Sequence, residues 1–288
     1  VPTAQDDVAL IGFTSGSTGN PKATMHFHRD IIAMCDCFPR SFGMAEPHDI
    51  FTGTPPLAFT FGLGGLTCFP MRFGASTRFF PAPLGPEDMM AAIEKYKITS
   101  LYTAPTLYRL LADLVDKYDI SSLEKCVSAG ETLPKATWEA FHNATGIRIV
   151  DGLGSTEMIH IFVAASRDDM RPGFTGKAIP GYRAKIVDED GNDLGPNQPG
   201  LLAVKGPTGC RYLSDERQKV YVKDGWNYPG DMYEMNEEGY FRYVARADDM
   251  IISAGYNISG PEVEAALLDH EAVIERAVIG KPDEKRTS

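Results

Sequence analysis

Residues 86–151 read PEDMMAAIEKYKITSLYTAPTLYRLLADLVDKYDISSLEKCVSAGETLPKATWEAFHNATGIRIVD, and in this stretch helical and extended patterns take turns. Pro86, Glu87 and Asp88 open a helix expected over 86–97, because a proline and two acids suit a first helical turn. Residues 98–102 then read as a strand, 105–118 as a helix, 125–129 as a strand, 134–143 as a helix and 147–151 as a strand. This is βαβαβ order, which predicts a parallel sheet with crossover helices. Ligands bind such sheets at the carboxyl ends of the strands, which directs attention to the glycine-containing segments 128–132 and 151–157.

Beyond residue 172 the pattern changes to short strands separated by Asp190-Gly191, Pro199-Gly200, Asp224-Gly225 and Glu238-Gly239. That is the turn punctuation of antiparallel structure, and a small barrel or sandwich is expected. After Arg246 come a short strand at 250–253, a helix at 260–270 with Pro261 near its start, and another strand at 272–279. This last α+β piece stops before it could close a core, and there is no initiator Met, so a truncated piece is expected.

The 288 residues carry 28 Lys and Arg against 39 Asp and Glu. A formal charge of -11 works against nucleic acid or anionic membrane as partners, so any basic site must be local. No apolar run approaches a membrane helix and the N-terminus has no signal pattern, so a cytoplasmic location is expected. Five cysteines, Cys35, Cys37, Cys68, Cys126 and Cys210, lack a disulfide rhythm and read as reduced, partly buried thiols. His26-Phe27-His28 and Cys35-Asp36-Cys37 each offer two metal ligands without a second pair at zinc spacing, and both are expected on a core-packed helix.

After a strand-like Ile11-Gly12-Phe13 the chain runs Thr14-Ser15-Gly16-Ser17-Thr18-Gly19-Asn20-Pro21-Lys22. Glycines let backbone N–H groups converge on an anion, four hydroxyls donate further hydrogen bonds, and a lysine adds charge. A polyphosphate suits that donor set better than a plain surface turn explains it. The Walker A spacing fails, since Asn20-Pro21 separates Gly19 from Lys22 and Ala23 takes the hydroxyl position. No G-x-G-x-x-G opens a helix after a strand, so dinucleotide binding lacks support.

FTSGSTGNPK (13–22) resembles the phosphate loop of the adenylate-forming superfamily, the acyl- and aryl-CoA synthetases, luciferases and adenylation domains. Further motifs follow in the family's order. DGLGSTE (151–157) resembles its second nucleotide motif, implying that Asp151, Gly152, Leu153, Gly154, Ser155 and Thr156 border the nucleotide and that Glu157 helps hold Mg²⁺. Many members carry an aromatic residue where Leu153 stands. SAGETLP (128–134) resembles the turn bordering adenine and the acyl pocket, with Gly130 and Glu131 on the nucleotide and Ala129 on the acid. Asp231 in GWNYPGD (225–231) takes the ribose position. RADDMIISAGYN (246–257) resembles the hinge, with Arg246 on the ribose, Asp248 absorbing the rotation and Gly255 near the pantetheine path.

The resemblance implies an α/β fold: a parallel-containing sheet with helices over 1–171, incomplete at its N-terminus, a small antiparallel β-barrel subdomain over 172–246, and a truncated α+β lid over 247–288. It implies Thr14, Lys22 and Glu157 as catalytic residues, the loop residues Ser15, Gly16, Ser17, Thr18 and Gly19 on the phosphates, and ATP, Mg²⁺ and coenzyme A as reactants, with a homodimer as one option. PPLAFTFGLGG (55–65) resembles the aromatic-gate motif, with Phe59 as gate and Thr60 and Phe61 on the wall. In benzoate-type ligases the residues matching His160 and Ile161 border the aryl ring. GPTGCRYL (206–213) and SAGYNISGPEVEAALL (253–268) are most similar to the benzoate and 2-aminobenzoate CoA ligases. The expected reaction makes an aryl adenylate and then a coenzyme A thioester. The alternatives are transfer to a carrier-protein thiol, or a non-catalytic nucleotide-binding module. The lysine motif that assists adenylation in this family is absent from the chain, which is expected to impair turnover.

Overall fold

A computed structural model of the chain describes residues 2–14, 21–247, 251–253, 256–268, 273 and 277–280. Its centre is a seven-stranded sheet in the order Ser76–Thr77, Ile50–Gly53, Ser100–Thr103, Lys125–Ala129, Ile149–Gly154, Ile161–Ala164, Lys177–Ala178. The first four ladders are parallel and the last two antiparallel. The three strands read from the sequence are adjacent, and the helices Pro105–Ala112 and Lys135–Thr145 form the crossovers.

Period-two alternation divides these strands between two cores. Leu101, Cys126 and Ile149 face one side, packed with Met89, Met90 and Ile93 of the helix Pro86–Tyr96 and with Tyr108, Leu111 and Phe141 of the crossovers. Tyr102, Val127 and Val150 face the other, with Met34 and Phe38 of the helix His28–Phe42, Phe51, Phe69 and Phe162. Tyr108 ties the first core together, its hydroxyl donating to the carbonyls of Leu101 at 2.8 Å and Val127 at 3.1 Å on adjacent strands.

The expected helix over 105–118 ends at Ala112, and Val115–Lys117 is a tighter turn. Leu114 and Lys117 donate to carbonyls only three residues back, which brings Leu114, Val115 and Tyr118 onto the core. His26 and Phe27 lie in the strand Lys22–Phe27 instead of on a helix, whereas His28, Cys35 and Cys37 do lie on His28–Phe42. All five cysteines are free thiols.

The region after 172 is antiparallel as expected: Val222–Lys223, Trp226–Asn227, Gly200–Lys205, Asp231–Met235 and Phe241–Arg246 follow one another, with Arg183–Val187 also on Gly200–Lys205. Among the described residues these strands form one six-stranded antiparallel sheet. Asp224 and Gly225, with φ of 51° and 75°, make the tight turn their sequence predicts. Ile251–Ser253 pairs antiparallel with Tyr256–Ile258, and the helix Gly260–Leu268 follows. Half of the residues expected as a strand at 272–279 lie outside the described residues, and the described ones, 273 and 277–279, are in no strand. No helix among the described residues is long and apolar enough to cross a membrane.

Candidate active site

The strand Val8–Thr14 pairs antiparallel with Lys22–Phe27, and Thr14 stands opposite Lys22. The loop they bracket, with Ser15, Gly16, Ser17, Thr18 and Gly19, lies outside the described residues, as do Asp248 and Gly255. What the hairpin positions is nevertheless clear at its base. A Cβ on Gly12 would stand 2.8 Å from Thr156 Cγ2, so the glycine permits the strand to approach the 151–157 segment. His26 Nε2 lies 2.7 Å from the Thr156 carbonyl, which joins the two phosphate-type motifs.

At this junction Lys22 Nζ is 3.6 Å from Glu157 Oε1. The Tyr212 hydroxyl donates to that oxygen at 2.6 Å, and the Lys22 ammonium lies 5.0 Å from the Tyr212 ring centroid and 5.9 Å from that of Tyr221. Glu157 is only 7% exposed, so these partners stabilise its charge in a site with little water. Burial pushes the Tyr212 hydroxyl well above its ordinary pKa, and the hydrogen bond to Glu157 adds to the shift, so it serves as a donor. Tyr212 arrives from far along the chain because the Met25 and Leu213 N–H groups donate to the Arg211 and Ala23 carbonyls, both at 2.8 Å.

A cavity of about 360 Å³ is lined by Gly130, Glu131, Asp151, Gly152, Leu153, Gly154, Asp231 and Arg246. Eight of the expected nucleotide residues thus share one space. Asp231 and Arg246 face each other across antiparallel strands, with an ion pair at 3.2 Å. Burial pushes the Asp151 carboxyl up to about 7, against the opposing pull of the Thr175 hydroxyl and the Gly152 N–H. By surface area the residue is half-buried, which fits a carboxyl whose head is covered at a cavity wall.

A second cavity, of about 620 Å³, is lined by Phe59, Thr60, Phe61, Ala129, His160 and Ile161, all six residues expected to meet the acid. Ser155 and Thr156 line it too, and Gly130, Glu131 and Gly154 are shared with the first cavity. His160 packs 4.6 Å from Phe69, edge-on, and 5.9 Å from both Phe38 and Phe61, measured between ring centres. Burial drives its pKa down to about 3, with the Phe61 backbone opposing, so the ring is neutral.

Tyr212, Tyr221 and His26 were not identified as site residues from the sequence. Tyr212 sits in the quoted segment 206–213, but its role depends on pairing with residues 23–25, which no local spacing reveals.

The family model described as "AMP-binding enzyme" matches residues 1–212. A benzoate–CoA ligase of Thauera aromatica is 35% identical over 98% of this chain and 55% of its own length. A 3-hydroxybenzoate–CoA ligase of Aromatoleum sp. (strain CIB) is 31% identical over the same shares. Among solved structures, the anthranilate CoA ligase AuaEII in complex with anthranoyl-AMP aligns with a TM-score of 0.91 at 36% identity, over 98% of this chain and 56% of that one. The chain spans about half the length of the curated relatives it matches.

Proposed function

We propose, from a chain that belongs to the AMP-binding enzyme family, that the whole protein activates an aromatic carboxylic acid of the benzoate or 2-aminobenzoate type with ATP and passes the acyl group to coenzyme A. The observation that carries this reading is the shared wall of Gly130, Glu131 and Gly154, which sets an aromatic-lined cavity against a nucleotide-sized one. An acid in the first then meets the α-phosphate of ATP in the second.

The aryl carboxylate attacks the α-phosphorus, an aryl-AMP mixed anhydride forms, and pyrophosphate departs. Lys22 leaves Glu157 for the phosphates and stabilises the charge that builds on them. Glu157 suits Mg²⁺ because it is a hard carboxylate beside the phosphate-handling lysine and both Lys22 and Tyr212 meet it at Oε1. When bound, that ion would offset charge on the pyrophosphate. Asp231 and Arg246 orient the ribose, and catalysis is chiefly positioning. The coenzyme A thiol then displaces AMP from the acyl carbon. In this reading residues 1–171 carry the acid cavity and part of the nucleotide cavity, 172–246 complete the latter with the ribose contacts, and 247–288 begin the lid domain. Such an enzyme works in the cytoplasm, where ATP and coenzyme A are at hand.

The test is ATP–pyrophosphate exchange by the full-length gene product with benzoate, hydroxy- and aminobenzoates, and fatty acids. Exchange with aryl acids is expected, and a preference for fatty acids overturns the reading.

A further inference from the structure

His26 is fully buried, and of its two ring nitrogens Nε2 alone completes a hydrogen bond, to the Thr156 carbonyl at 2.7 Å. A carbonyl only accepts, so Nε2 carries the proton. Nδ1 lies 3.8 Å from Asp30 Oδ2, an oxygen that accepts from the Phe27 N–H at 2.9 Å. As a mere filler of space the imidazole would be costly, because its second nitrogen is desolvated without completing a bond. What the ring provides is its hold on Thr156.

Thr156 opens a turn that needs holding. Ile159 sits there at φ 70°, a left-handed conformation that a β-branched residue keeps only where its surroundings fix it. The Ile159 N–H closes the turn on the Thr156 carbonyl at 3.2 Å. Met158 is held at both ends, its N–H donating to the Ser155 hydroxyl at 3.2 Å and its carbonyl accepting from the Thr208 hydroxyl at 2.8 Å. Glu157 lies inside this turn. Of these ties, the His26 bond comes from the strand Lys22–Phe27, where the two-residue period puts Lys22, Thr24 and His26 on one face. That face meets Thr156 through His26 and Glu157 through Lys22. When phosphates draw Lys22 away from Glu157, the His26 bond is left to keep the strand in register with the turn.

We infer that His26 is a positioning residue for adenylation: through the Thr156 carbonyl it holds the strained turn, and with it Thr156 and Glu157, in register with Lys22 while the lysine engages the phosphates. His26 lines neither cavity, so it acts through the turn and not on the acid or the nucleotide. This rests on the adenylation reading above, whichever acid is used, and extends it to a residue outside both cavities.

The experiment measures kcat and the KM for ATP in pyrophosphate exchange, together with urea unfolding, for the full-length gene product as wild type, His26→Asn and His26→Gln, with the acid that the wild type turns over best. Asparagine places its amide near the position of Nδ1 and falls short of Thr156, whereas glutamine carries an N–H donor to about the reach of Nε2. His26→Asn is expected to lower kcat per folded molecule by about 10- to 100-fold, the scale for a small misplacement of reacting groups, with a smaller change in the KM for ATP. His26→Gln should recover most of that loss. A purely structural bond would move the unfolding midpoint and leave kcat per folded molecule alone, and that result overturns the inference, as does a loss that His26→Gln does not reduce. Should His26→Asn not fold, His26→Leu, which fills the niche without donating, takes its place, and failure of both to fold assigns the bond to the fold and overturns the inference. Exchange with fatty acids alone overturns the aryl reading and leaves this test intact, whereas no exchange with any acid overturns the adenylation reading and this inference with it.

Discussion

Lys22 Nζ and Glu157 Oε1 lie 3.6 Å apart, and Tyr212 donates to that same carboxylate oxygen at 2.6 Å. Without nucleotide, the cation and the carboxylate neutralise each other. Phosphates would compete for Lys22, and Tyr212 would remain to hold Glu157 in place. Lys22→Ala should therefore lower aryl-adenylate formation by about 10²–10³-fold, the scale for losing one preorganised charge partner. Pyrophosphate exchange at saturating acid measures it, and a loss below about tenfold would show that Lys22 is not used this way.

Tyr212→Phe separates the hydroxyl from the ring, since the ring can stay over Lys22. Glu157 loses a charge-assisted hydrogen bond in a site that is 7% exposed. A loss of about 1.5–3 kcal/mol in unfolding free energy is expected, read from the denaturant midpoint. The KM for ATP should rise with it, because Glu157 would then be held by Lys22 alone. An unchanged midpoint and KM would mean that the hydrogen bond contributes nothing.

The parts of this site that could be read from the sequence are those encoded locally. Pro86, Glu87 and Asp88 open the expected helix, and the alternation through Leu101, Tyr102, Cys126 and Val127 reports a sheet buried on both faces. Six residues that line the larger cavity were legible through family motifs that are contiguous in sequence. His26 and Tyr212 were not, because their partners Thr156 and Glu157 lie 130 and 55 positions away. His26 also illustrates a local misreading, since the pattern around His28 is helical while His26 belongs to the strand before it.

Gly64→Ala tests the shape of the acid cavity. Gly64 has helical φ and ψ of -64° and -59°, so its backbone would accept alanine, and the obstacle is the His160 ring. That ring cannot retreat through Phe38 and Phe69. Overpacking of about 1–3 kcal/mol is expected. The KM for the aryl acid should rise several-fold while that for ATP changes little. Equal effects on both would mean that the strain spreads beyond the acid cavity.

The pH dependence of stability turns on His160 and Asp151, which pull in opposite directions. The folded His160 takes a proton only near pH 3, whereas an unfolded histidine takes one near 6.5. Between those values the unfolded chain binds more protons, so the histidine's contribution is complete above about pH 6.5 and falls as the pH drops, by up to about 1.4 kcal/mol per pH unit. Asp151 has the reverse sign: its folded pKa is about 7 against 3.8 for the free side chain. Its contribution is complete below pH 3.8 and is lost as the pH rises through 7. Between about pH 4 and 6.5 the two slopes oppose each other, and the wild type should show a flatter profile than either single variant. His160→Leu should leave stability declining with rising pH across that window, and Asp151→Asn should leave it increasing. Urea unfolding at half-unit steps from pH 4 to 7.5 measures all three profiles, and parallel curves would show that neither group titrates as its burial requires.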